Sequence, residues 1–152
     1  MKVAVLPDWR DGNPYQRLLA DALAQWGVEC CFPRGYRRGL PLSRALLPRP
    51  RPDLLHLHWP TPYLRSNQPA LRAGYCLRTL GDVALLRCAG IPVVWTVHNL
   101  VTHDTPTPRL ELWFSARLAQ LVDHLIVHSE EAAEEVVAVL GANRDKISII
   151  PH

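Results

Sequence analysis

Val3-Ala4-Val5-Leu6, followed by Asn13-Pro14-Tyr15 and then by Leu18, Leu19, Ala22, Leu23 and Trp26 ahead of Gly27, reads as a strand followed by a helix. A short, wholly apolar run is the signature of a strand buried on both faces. The recurrence of Tyr15, Leu18, Leu19, Ala22, Leu23 and Trp26 at spacings of three and one draws one apolar stripe on a helix. Asn13 suits the N-cap, Pro14 the first helical position and Gly27 the C-terminal stop.

The same unit repeats outward from there. Strands are expected at residues 28–32, 53–58, 92–97, 123–127 and 147–150. Helices are expected at 70–89 closed by Gly90, from Thr107-Pro108 onward, and at 129–140 closed by Gly141. Parallel neighbours need crossover connections, so this alternation implies a three-layer α/β/α domain with a mostly parallel sheet of about six strands. At 152 residues, with 48% hydrophobic and 20% charged, the chain 1–152 is one globular domain by size and composition, and neither a disordered nor a disulfide-scaffold sequence. Cys30, Cys31, Cys76 and Cys88 show no metal-ligand spacing and read as small buried hydrophobes in a reducing compartment. The N-terminus lacks a signal-peptide core, and no apolar run reaches the roughly 18 residues of a membrane span, so a cytoplasmic location is expected.

In a doubly wound sheet, ligands bind beyond the carboxyl ends of the strands. The residues at those ends are Asp8, Trp9, Asp11, Gly12, Asn13 and Tyr15 after the first strand, His58-Trp59-Pro60 after the third, His98-Asn99 after the fourth, His128-Ser129 after the fifth and Pro151-His152 after the sixth. Four of the seven histidines therefore gather at one edge. No G-x-G-x-x-G and no P-loop signature is present, which argues against dinucleotide and P-loop chemistry. His58 occupies the place where a phosphoacceptor domain would carry an acid. His56 and His58 share one face of a strand, so a metal-dependent hydrolase with His98 or His128 as third ligand is an alternative. The plainer expectation makes His56 a hydrogen-bonded core histidine and leaves the site without a metal. A noncatalytic module that binds a sugar or partner with the same edge is the other alternative.

Asn13-Pro14-Tyr15, Asp53-Leu54-Leu55-His56-Leu57-His58-Trp59-Pro60, Trp95-Thr96-Val97-His98-Asn99-Leu100, Val122-Asp123-His124-Leu125-Ile126-Val127-His128-Ser129 and Ile147-Ser148-Ile149-Ile150-Pro151-His152 resemble the amino-terminal half of bacterial glycosyltransferases of the GT-B fold, family 4. The resemblance runs over essentially the whole chain. It implies a Rossmann-like acceptor-side domain whose partner, a carboxyl-terminal donor-binding domain, lies outside residues 1–152. The chain alone would then be inactive, with a nucleotide-sugar donor as co-substrate and no cofactor in this domain. The resemblance further implies that His98 reaches the donor sugar and that Gly12 offers bare backbone amides to the donor diphosphate. Asn13, Tyr15, His58, Trp59, Asn99 and His128 would line the substrate site, Trp59 as a sugar or lipid platform. An inverting enzyme needs a base, for which His98, Asp8, Asp11 and Asp104 are the candidates.

The formal net charge is +3, from 17 Lys plus Arg against 14 Asp plus Glu. Residues 33–52 hold Arg34, Arg37, Arg38, Arg44, Arg49 and Arg51 with no acid, so this segment is +6 and the rest of the chain −3. Its five prolines and two glycines suggest a surface loop, with Leu40, Leu42, Ala45, Leu46 and Leu47 as a short apolar cluster. Arginines beside exposed leucines suit an anionic membrane surface, here the inner face of the membrane, or a polyprenyl-diphosphate acceptor; the alternative is a solvated loop that packs a few leucines on the domain. No nucleic-acid-binding motif accompanies them, and nucleic acid is not an expected partner.

Overall fold

A computed structural model describes residues 1–33, 35, 38–48, 50–100 and 105–151. Arg34, Arg37, Arg49, Asp104 and His152, singled out above, lie outside the described residues. The expected alternation is present. Six strands, β1 (Lys2–Leu6), β2 (Glu29–Cys31), β3 (Leu54–Leu57), β4 (Val93–Thr96), β5 (His124–Val127) and β6 (Ile147–Ile149), form one sheet in the order β2-β1-β3-β4-β5-β6. Every pairing is parallel. Five α-helices connect them: α1 (Tyr15–Ala24), α2 (Pro41–Leu46), α3 (Pro69–Cys88), α4 (Pro108–Leu121) and α5 (Glu130–Leu140). Short 3-10 turns occur at Thr61–Leu64 and Arg144–Lys146.

Two helix ends follow from glycine. Gly27 and Gly90 take positive φ (72° and 80°), and the residues around each close two backbone bonds: Gly27 N to Ala24 O with Val28 N to Leu23 O, and Gly90 N to Arg87 O with Ile91 N to Leu86 O. Only a residue without Cβ adopts that conformation at no steric cost, so each helix stops there.

The strand order sorts the helices between the two faces. The step from β1 to β2 runs in one direction along the sheet, and the steps from β2 to β3 and on to β6 run in the other. Right-handed crossovers therefore put α1 on one face and α2 through α5 on the opposite one. The core follows this division. Ala4, Leu6, Leu55, Leu57, Val93, Trp95, Leu125, Val127 and Ile147 share one face by register and are buried with Leu42, Leu46, Val83, Leu86, Phe114, Leu118 and Val136 of the four helices. On the α1 face Val3, Val5, His56 and Thr96 are buried, but Leu54, Val94, His124, Ile126 and Ser148 are only half-buried.

Three expectations are corrected. The α1 stripe does not all face inward: Leu18 is 65% and Trp26 83% exposed, because α1 stands alone on its face and packs mainly on edge strand β2. The apolar cluster of the arginine segment packs on the domain instead of lying open, Leu40 alone of its members being exposed. Pro41–Leu46 is a helix whose Leu42 and Leu46 are fully buried, anchored where the buried Asp82 of α3 accepts the amides of Leu42 and Ser43 and the Ser43 hydroxyl. Of the four cysteines Cys76 is buried, Cys30 and Cys31 lie half-buried on the edge strand and Cys88 is exposed; all four are free thiols.

Candidate functional site

The sheet register builds the site. His56 pairs with Val94, Val94 with His124, and Thr96 with Ile126, so these residues lie on the α1 face. Side chains alternate along a strand, and His58, His98 and His128, each two residues beyond that set, continue the same face past the strand ends. Tyr15, the first residue of α1, meets all three there. Its ring stands edge-on to them, with centroids 5.6 Å from His58, 5.3 Å from His98 and 6.0 Å from His128. Trp59 stacks on His98 at 4.2 Å and 15°. Five of the eight expected site residues thus form one aromatic cluster at the carboxyl edge.

The hydrogen bonds assign tautomers. His128 Nδ1 lies 2.8 Å from Ile150 O and donates to it. His56 Nε2 meets Thr96 Oγ1 at 2.7 Å, which makes His56 the core histidine expected from its strand position. Burial pushes its pKa down to about 4. His58 is buried, its carbonyl accepts the Trp95 indole N–H, and burial together with the neighbouring His56, His98 and His128 pushes its pKa down to about 2. It is therefore neutral at physiological pH. Its Nδ1 lies 3.2 Å from His98 Nε2, whereas its Nε2 is buried with no hydrogen-bond partner among the described residues. In the contact between His58 and His98 one ring nitrogen donates and the other accepts.

Two hollows adjoin this cluster. His58, Trp59, Thr61, His98, Asn99 and Glu111 line a pocket of about 90 Å3. Gly12, Asn13, Trp9, Trp59 and Thr61 line an open groove of about 340 Å3 beside it, so Trp59 and Thr61 belong to both. All the expected binding residues therefore lie along these hollows or in the cluster. Gly12 does not keep the role the resemblance implied. Its amide and that of Asn13 both donate to Trp9 O, at 3.0 and 2.9 Å, and are not bare donors for a diphosphate. Asn13 Oδ1 accepts the Tyr15 amide at 2.9 Å, one position ahead of Pro14, which itself takes the N-cap place of α1. Asp8 is held by Arg10, Nε to Oδ1 and Nη2 to Oδ2, each 2.9 Å. Those bonds hold its carboxyl below the usual range and leave it a poor base. Asp11 is exposed and lines neither hollow.

Sequence reading missed three residues. Glu111 of α4, buried in the pocket wall, pairs with the buried Arg72 of α3 at 3.3 Å, and Arg72 also donates to Thr105 Oγ1 at 2.8 Å. Gln16 accepts the Trp9 amide at 2.8 Å and donates to Pro7 O at 2.9 Å, which shapes the loop that carries Gly12. A polar residue inside an amphipathic helix looks solvent-facing, so nothing in the sequence marked these as buried. A metal-dependent reading gains no support. Among the described residues no three His, Cys, Asp or Glu side chains converge as ligands, and His56 Nε2 is bonded to Thr96.

The profile of Glycosyltransferase Family 4 matches residues 3–152. A D-inositol 3-phosphate glycosyltransferase of Paenarthrobacter aurescens (strain TC1) is 28% identical over 91% of this chain and 42% of its own. A GDP-mannose:glycolipid 4-beta-D-mannosyltransferase of Xanthomonas campestris pv. campestris is 38% identical over 60% of this chain and 24% of its own. A second D-inositol 3-phosphate glycosyltransferase, of Thermomonospora curvata, is 27% identical over 91% and 29%. The chain spans less than half the length of these curated relatives. With the profile matched over nearly every residue and the strand-end histidines gathered as described, the chain belongs to glycosyltransferase family 4.

Proposed function

We propose that this domain is the acceptor-binding half of a glycosyltransferase that moves a sugar from a nucleotide-sugar donor to a polysaccharide or lipid-linked acceptor. The observation that carries the reading is the Tyr15, His58, Trp59, His98 and His128 cluster, set at the carboxyl edge of a parallel sheet beside an open groove. The names of the relatives support it: one acts on an inositol phosphate and another on a glycolipid. In this reading Trp59 packs on a sugar face, Asn13 and Asn99 offer amide groups to hydroxyls, and a second domain supplies most donor contacts.

His98 is the catalytic residue. Stacked on Trp59 and in contact with His58, its imidazole gives a hydrogen bond to a hydroxyl of the donor sugar as charge develops near the leaving group. His58 positions it. The test is transfer of a labelled sugar from a panel of nucleotide sugars by the full-length enzyme. His98→Ala is expected to lower kcat by about 100-fold or more, with KM for the donor changed far less, and His58→Ala to lower it by a smaller factor. The 152-residue chain alone is expected to show no transfer. An unimpaired His98→Ala enzyme, or turnover by the isolated chain, would refute the assignment.

A further inference from the structure

A third concavity, of about 470 Å3, shares Trp9 with the open groove. Its size lies in the range of small-molecule sites, and its wall carries arginines from three separate segments. They are Arg38 ahead of α2, Arg65 at the end of the first 3-10 turn and Arg78 on α3. Arg78 is held in place, its Nη2 donating to Tyr63 O at 2.8 Å and its guanidinium lying 4.6 Å above the Tyr75 ring. Arg38 and Arg65 are exposed and make no ion pair among the described residues. The one acid in the wall, Asp8, has both oxygens engaged by Arg10 and does not neutralise them.

Three guanidinium groups around one hollow repel each other when it holds only water. The arrangement becomes favourable when a multiply charged oxyanion lies between them, and the planar fork of arginine fits phosphoryl oxygens two at a time. We propose that this pocket binds a phosphoryl or diphosphoryl group carried by the acceptor, whose remainder runs past Trp9 toward Trp59 and His98. That the ligand is the acceptor rests on the transferase reading; the anion chemistry of the pocket does not.

The experiment is calorimetric titration of the 152-residue chain with inorganic pyrophosphate, with sulfate as the control anion. Pyrophosphate binds more tightly than sulfate, and Arg38→Gln and Arg65→Gln each weaken it by about tenfold or more. Both side chains are exposed, so the variants fold, which circular dichroism checks. Arg117→Gln, on the exposed side of α4, leaves the affinity unchanged. Equal affinity for sulfate, or pyrophosphate binding indifferent to both pocket variants, overturns the proposal. Farnesyl diphosphate separates the two sources of such a group. Binding about tenfold tighter than pyrophosphate marks an isoprenoid-linked acceptor, equal binding marks a soluble phosphorylated one, and both support the pocket. Sugar transfer by the full-length enzyme without this binding would overturn the pocket and leave the transferase reading intact. Pyrophosphate binding without sugar transfer would do the reverse.

Discussion

At the scale of single residues, the histidines that shape the edge also make the fold sensitive to acid. His56 and His58 have their pKa values depressed to about 4 and about 2, chiefly by burial. Between those values and the ordinary value near 6.5, the unfolded chain binds protons that the folded chain refuses. Stability is therefore full above about pH 7 and falls as the pH drops below 6.5. For His56 alone the loss amounts to about 3 kcal/mol by pH 4. Urea denaturation midpoints measured between pH 8 and 4 should show this decline, and His56→Asn should flatten it. A slope that His56→Asn leaves unchanged would contradict the assignment. The pairing of His56 with His58 on one face was legible from their spacing of two. The meeting of His58 with Tyr15 was not, because it depends on where the first helix docks.

At the scale of elements, most of the fold was legible because local signals agreed with the final structure. Apolar strands, prolines at helix starts and Gly27, Gly90 and Gly141 just past helix ends all announce themselves in the sequence. Helix α2 was not legible. It is six residues long, in a stretch rich in proline and arginine, and an isolated helix of that length does not hold in water. It exists because Asp82, 40 residues further on from Leu42, accepts two of its first amides and the Ser43 hydroxyl in a buried site. Asp82→Ala strands those donors and should cost about 3 kcal/mol. The α2 segment should lose its hydrogen-exchange protection before the sheet does. Protection lost evenly over the whole chain would show that Asp82 is not the anchor. Because Arg38 lies just ahead of α2, the same variant should also weaken pyrophosphate binding.

At the scale of the whole molecule, the core is one-sided. The run Leu125-Ile126-Val127 looks like a strand buried on both faces, and apolar composition alone carries no more information than that. Whether each face is covered depends on how many helices the topology sends to it. Four go to the Leu125 face and only α1 to the Ile126 face, so Leu125 is fully buried and Ile126 half-buried. Two adjacent side chains of nearly equal volume should then differ widely in worth. Leu125→Ala leaves a cavity in a packed core and should cost about 3 kcal/mol, whereas Ile126→Ala, which removes atoms already partly hydrated, should cost about 1 kcal/mol. Guanidinium unfolding of the two variants under identical conditions measures the difference. Equal losses would mean that the α1 face is as well covered as the other. The opposite ranking would mean that the division of helices between the two faces is wrong.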